Sequence, residues 1–289
     1  MSSLVSKTGV ALEMIKWEHS IFALPFALTG AVLAAGGWPK LSVFLWIVVC
    51  MVSARTAAMA FNRLADAELD AANPRTATRA LPAGALSKGF VGGFVAVSAA
   101  VFFLGAAMLN RLTLELAPAA LGVVLVYSYM KRLTRWSHLV LGLALGIAPS
   151  AAWIAVRGSF DPRIAVLTLA VILWVGGFDI LYACQDFEHD RLVGLNSVPQ
   201  AFGLQGAFWM ARAMHFAMIL VLLWLVELFG LGKIATVGIG AVTGLLLYEH
   251  SIISPKDLRR MDAAFFTLNG VISVVLFIFV ATDVLLGRQ

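Results

Sequence analysis

Polar positions in this chain are sparse and clustered. Between the clusters run nine apolar stretches, at about 20–37, 41–64, 89–109, 113–130, 138–156, 164–184, 206–229, 232–249 and 263–286. Each approaches the ~20 residues that an α-helix needs to cross a ~30 Å hydrocarbon core. The alternation of polar and apolar residues that marks a strand is missing, and a helix satisfies its own backbone polar groups in lipid without closing a barrel. The pattern therefore predicts an all-α fold: a polytopic membrane helical bundle of about nine transmembrane helices, forming a single domain over 1–289.

Composition agrees. The 289 residues are 61% hydrophobic and 13% charged, with a mean hydropathy of +0.92, whereas a soluble domain has about a quarter of its residues charged. The first apolar stretch follows a polar segment holding Lys7, Glu13 and Lys16, lacks a small-residue cleavage site and continues into a full span, so no cleavable signal peptide is expected.

Lys and Arg concentrate in cytoplasmic connections. Lys7, Lys16, Arg63, Arg75, Arg79, Lys88, Lys131, Arg132, Arg135, Arg191, Lys256, Arg259 and Arg260 fall on one side of the predicted bundle. Only Lys40, Arg111, Arg157, Arg163, Lys233 and Arg288 fall on the other. This bias predicts a cytoplasmic N-terminus and assigns the net charge of +5 to topology and lipid headgroups. No basic stripe interleaved with aromatics points to nucleic acid, and nothing in the sequence implies an obligate protein partner. Cys50 and Cys184 both fall inside spans and read as buried thiols.

Two connections are longer than the rest and break the apolar pattern. After the second span comes NRLADAELDAANPRTATRALPAG, at 62–84; after the sixth comes QDFEHDRLVGLNSVPQAFG, at 185–203. Both run from acids to Gly and Pro, four helices apart, which reads as a weak internal repeat with a loop over one mouth of the bundle. On a helix, Asn62, Asp66 and Asp70 stack at i, i+4, i+8, about 6 Å apart along one face, with Glu68 turned away. Asp186 and Asp190 form a second i, i+4 pair. Carboxylates gathered at one mouth repel unless a cation lies among them, and hard oxygen ligands suit Mg²⁺, which bridges carboxylates to substrate phosphates.

These motifs, with KWEHSIFALPFALTG at 16–30 and YSYMKRLT at 127–134, make the chain resemble the UbiA superfamily of intramembrane aromatic prenyltransferases over nearly its whole length. The resemblance implies Mg²⁺-dependent transfer of a polyprenyl group from polyprenyl diphosphate to a ring carbon next to a phenolic hydroxyl. By that resemblance, Asn62, Asp66, Asp70, Asp186 and Asp190 match the metal–diphosphate ligands. With the orientation that the charge bias predicts, the active-site mouth is expected on the cytoplasmic face of a bacterial-type inner membrane, with membrane lipid all round. Lys131 and Arg132, at the end of the fourth span, are placed to hold diphosphate oxygens, as are Arg75 and Arg79; Ser128 and Tyr182 lie within reach of the same region.

Arg63 departs from the pattern, since many family members carry Asp after the first Asn. The variant is most similar to the 4-hydroxybenzoate polyprenyltransferase-like branch of quinone biosynthesis, and a dihydroxynaphthoate acceptor of menaquinone biosynthesis is the alternative. A transporter or channel is the alternative of another class. It draws on Arg55 and Asp179, which lie seven residues before Asn62 and Asp186, about 10 Å deeper in the membrane. Those two are expected to face each other, supporting the ligand helices or contacting the aromatic acid. Glu18, His19, Glu249 and His250 are read as interfacial, and His215 as a polar residue buried between helices.

Overall fold

A computed structural model of the chain describes residues 9–11, 13–15, 23–261 and 267–287. Glu18 and His19, and the first residues of the first and ninth predicted spans, lie outside them. The remainder is helical, with no β-strand among the described residues. The helices are α1 (Leu24–Ala35), α2 (Leu41–Ala65), α3 (Ala67–Ala72), α4 (Lys88–Leu109), α5 (Arg111–Leu133), α6 (Ser137–Arg157), α7 (Ile164–Ala183), α8 (Phe187–Val193), α9 (Val198–Phe229), α10 (Lys233–Ile252) and α11 (Asn269–Leu286). Each predicted span coincides with a long helix or, for the first, with the twelve residues of α1.

Among the described residues, seven helices are long and apolar enough to cross a membrane. α10 is long enough but carries Lys233, Glu249 and His250. α3 and α8 are short helices inside the two long connections, and α9 begins eight residues before its predicted span because Ser197 caps it and Pro199 opens its first turn. Gly203, at φ 71°, kinks α9 five residues later.

Helix ends follow local chemistry. Ser87 accepts from the Phe90 N–H to start α4, Asn110 accepts from the Thr113 N–H to start α5, and Gly36, Gly158 and Gly230 close α1, α6 and α9 in the left-handed conformation. α1 packs against α6 on one side and α11 on the other, so the chain closes on itself; α7 lies between α6 and α9, and α2 against α4. The α6–α7 contact uses Gly142 and Gly146, which let backbones approach: a Cβ added to Gly142 would stand 2.6 Å from the Ile172 carbonyl oxygen. Buried Trp174 of α7 packs on Phe26 and Phe178, with ring centroids 4.8 and 4.9 Å away. Leu104, Phe216, Trp224 and Leu247 stay exposed, as outward residues in a lipid solvent do.

Candidate functional site

The sequence places Asn62, Asp66 and Asp70 on one unbroken helix, and here the structure corrects the expectation. α2 stops at Ala65, and Asp66, at φ −98° and ψ 5°, stands between α2 and α3. The four-residue register survives the break because the Asp66 N–H donates to the Asn62 carbonyl at 2.9 Å and the Asp70 N–H to the Asp66 carbonyl at 2.7 Å. Asn62 Nδ2 also donates to Asp66 Oδ2 at 3.2 Å. The second motif repeats the device. Asp186, at φ −97° and ψ 7°, ends a 3₁₀ turn and begins α8.

Each of these three aspartates is already neutralised. Lys131 Nζ lies 2.7 Å from Asp66 Oδ2 and Arg132 Nη2 lies 3.1 Å from Asp66 Oδ1. Arg132 also donates to the Ala65 carbonyl that ends α2. Asp70 accepts from Arg79 at 2.6 Å and from Arg63 at 3.3 Å. Arg75 grips Asp186 with two nitrogens, Nε at 2.9 Å from Oδ1 and Nη2 at 2.5 Å from Oδ2, the bidentate geometry favoured by a guanidinium and a carboxylate. Burial pulls the Arg75 pKa down, but the hydrogen bonds and charge of Asp186, with help from Tyr182, outweigh it and raise the pKa above its ordinary value. Asp66 and Asp70 are buried, which makes such partners necessary.

These pairs join the two motifs. Asn73 and Arg75, from the loop after the first motif, both reach Asp186 of the second, and Arg75 lies 5.9 Å over the Tyr182 ring. From the other side, the Asn196 N–H donates to the Lys131 carbonyl at 2.8 Å, and the Asn196 side chain to that of Arg132. Lys131 thus stands between the motifs, and its charge also reaches Asp190. Asp190 itself makes no ion pair among the described residues. Ser128 is buried with its hydroxyl unpartnered among the described residues, as is the side-chain N–H group of Gln185.

The structure explains Arg63. Its guanidinium turns back to share Asp70 with Arg79, so a cation after Asn62 serves the acid seven residues later. Glu68 points away, almost wholly exposed, 3.9 Å from Lys88. Arg55 and Asp179 do not pair with each other, as the sequence led one to expect; each has other partners. Asp179 bonds His138 Nδ1 at 2.7 Å, His138 Nε2 accepts from the Val198 N–H at 3.3 Å, and Arg55 donates to the Ile15 carbonyl at 3.2 Å. Glu249 and His250 are not interfacial: Glu249 is buried, and His250 bonds His215 at 3.0 Å across α9 and α10.

Sequence reasoning passed over His138, Asn73 and Asn196. The two asparagines stand inside the motifs already singled out, beside Pro74 and within GLNSVPQAFG; His138 carries no local signal, because only packing of α6 on α7 brings it to Asp179. No three His, Cys, Asp or Glu side chains are grouped as a ready-made metal site among the described residues. The acids are held apart by cations.

Fold and site together define a multi-pass helical membrane protein with paired aspartate motifs and a dense set of cations at one mouth. The sequence profile of the UbiA prenyltransferase family matches residues 23–271, and the chain belongs to that family, as an aromatic prenyltransferase. It is 32% identical over 256 residues to a 4-hydroxybenzoate octaprenyltransferase of Vibrio cholerae, covering 87% of this chain and 88% of that protein. It is likewise 32% identical over 235 residues to one of Cupriavidus necator, covering 81% of each. Among solved structures, a UbiA homolog from Aeropyrum pernix K1 superposes with a TM-score of 0.84 at 35% identity, over 93% of this chain and 98% of that one. A UbiA homolog from Archaeoglobus fulgidus, bound to DMAPP and Mg²⁺, shares the fold with a TM-score of 0.71 at 17% identity, over 95% of this chain and 98% of that one.

Proposed function

We propose that this chain, acting as a single domain, transfers a polyprenyl group from polyprenyl diphosphate to the ring carbon ortho to the phenol of 4-hydroxybenzoate, in quinone biosynthesis. The observation that carries this reading is the pair of aspartates at matched helix breaks, Asp66 and Asp186, with Lys131 between their motifs. The names of the similar bacterial proteins support the acceptor.

The donor set fits Mg²⁺. It consists of hard carboxylate and amide oxygens, and two buried groups beside it, the Ser128 hydroxyl and the Gln185 amide, lack partners that anionic oxygens would supply. Asn62, Asp66, Asp70, Asp186 and Asp190 would hold the metal. When bound, Mg²⁺ supplies Lewis-acid neutralisation of the departing diphosphate.

Lys131, Arg132, Arg75 and Arg79 exchange their carboxylates for diphosphate oxygens, with Tyr182 backing Arg75. Their charges develop no new desolvation cost in the exchange, because one anion replaces another. Arg55, deeper along α2, meets the acceptor's carboxylate. The allylic C–O bond breaks, the ring carbon–prenyl bond forms, and the diphosphate and the ring proton leave. With the mouth cytoplasmic, the side that the Lys and Arg bias favours, water-soluble substrate and metal enter from the cytoplasm of a bacterial cell while the polyprenyl tail stays in lipid.

The test is an assay of membranes containing the protein, with a labelled polyprenyl diphosphate, offering 4-hydroxybenzoate and dihydroxynaphthoate separately, with and without Mg²⁺. Mg²⁺-dependent labelling of 4-hydroxybenzoate is the expected result. Labelling of the naphthoate alone would move the chain to menaquinone-type chemistry, and absence of transfer to either would overturn the reading.

A further inference from the structure

We infer that the chain carries a phospholipid site outside the reaction centre, in the gap between α6 and α9. The last turn of α5 and the turn that joins it to α6 supply three cations, and two of them, Lys131 and Arg132, are committed to Asp66. The third, Arg135, has no carboxylate partner among the described residues and lies over the Phe202 ring, 5.8 Å from its centroid. Trp136 stands beside that ring, centroids 6.1 Å apart, and both aromatics are more than 40% exposed. An arginine set among exposed aromatics at a helix end is how a membrane protein meets the headgroup layer.

Immediately next to this group opens a cavity of about 320 Å³. α6 and α9 flank α7 and leave it between them, walled by Trp136, Leu139, Leu173, Ile180, Met210 and Met214. His138 also borders it, but both ring nitrogens are engaged, one with Asp179 and one with the Val198 N–H. The wall therefore offers no hydrogen bond to water, and an apolar cavity of this kind takes apolar guests. Two methionines give it a pliant side that accommodates alkyl chains of varied shape.

An alkyl chain in the cavity and an anion on Arg135 describe one amphiphile. A single guanidinium matches the single negative charge of a phosphodiester, whereas a diphosphate is drawn to the five cations around Asp66, Asp70 and Asp186. The occupant is thus a membrane phospholipid, its phosphate on Arg135 and one acyl chain against Met210 and Met214.

The experiment is native mass spectrometry of the full chain, purified in mild detergent and exchanged into nanodiscs of phosphatidylcholine doped with phosphatidylglycerol. The wild type is expected to retain one phospholipid after ejection, enriched in phosphatidylglycerol. Arg135→Ala should cut that retention at least tenfold. Met214→Trp, which fills the cavity, should abolish it for both headgroups, with Met210→Phe as the milder filling variant if the first fails to run as a monodisperse peak. Retention by Arg135→Ala equal to that of wild type, or no lipid on the wild type, overturns the proposal. So does displacement of the lipid by an added polyprenyl diphosphate, which would assign the cavity to the prenyl chain. Because lipid mass is the readout, the result is independent of whether 4-hydroxybenzoate is the acceptor.

Discussion

Asp66 and Asp186 adopt the same irregular backbone conformation, φ −98°, ψ 5° and φ −97°, ψ 7°, each beginning a short helix after a long one. A residue at that position turns its carboxylate out of the regular helical path, and each is met by a cation brought from elsewhere in the fold, Lys131 for the first and Arg75 for the second. The weak repeat in the sequence is thus a repeat of backbone geometry.

Replacing either aspartate should therefore have equivalent consequences. Asp66→Asn and Asp186→Asn keep size and hydrogen-bonding capacity while removing the charge, and each should lower prenyl transfer by about 100-fold or more. Initial rates with labelled polyprenyl diphosphate in membranes of matched protein content measure it. A variant keeping more than a tenth of wild-type rate would remove that aspartate from the reaction centre.

Lys131 serves both motifs, so its loss should weaken diphosphate binding more than any one arginine does. Lys131→Met, which keeps the aliphatic stem, should raise the KM for polyprenyl diphosphate at least tenfold, about 1.4 kcal/mol. Arg75→Lys, losing the bidentate grip, should show a smaller rise. A rise confined to the KM for the aromatic acid would place Lys131 on the other substrate.

Since the aspartates already hold Lys131, Arg132, Arg63, Arg79 and Arg75, a metal ion arriving alone must displace cations that then have no anion. Pyrophosphate gives them one. Mg²⁺ and inorganic pyrophosphate should therefore bind cooperatively, each tightening the other at least tenfold and by equal factors. Titration calorimetry on the detergent-solubilised protein checks it, and independent affinities would refute the exchange.

The Gly142–Gly146 seam fixes α6 on α7 and so carries His138 to Asp179. Gly142→Ala would force a methyl against the Ile172 carbonyl, at 2.6 Å without relaxation, an overpacking of about 1–3 kcal/mol. The melting temperature in detergent should fall by about 2–4 °C per kcal/mol. An unchanged value would mean that the seam opens freely.

At the far end of the bundle, Asp283 of α11 accepts from the Gly232 and Ala235 N–H groups at 2.7 and 2.8 Å, capping α10 from another helix. Asp283→Ala should cost about 1–2 kcal/mol of stability while leaving the KM of both substrates unchanged. Thermal unfolding beside steady-state kinetics separates the two effects; a kinetic change without a stability change would contradict a capping role.

The sequence by itself determined the helices and the chemistry at their ends. The apolar runs marked the helices because lipid leaves a backbone few choices, and the i, i+4 aspartates were legible because hydrogen bonding keeps that register even across the break at Asp66. What it did not determine was pairing. Nothing local to Asp179 names His138 rather than Arg55, nothing near Arg63 names Asp70 above its other acidic neighbours, and Glu249 looked interfacial until α10 turned it inward. Those choices depend on which helix faces meet, and facing is settled by small-residue seams and by the need of each buried charge for a partner. Both are properties of the whole bundle rather than of any stretch of chain.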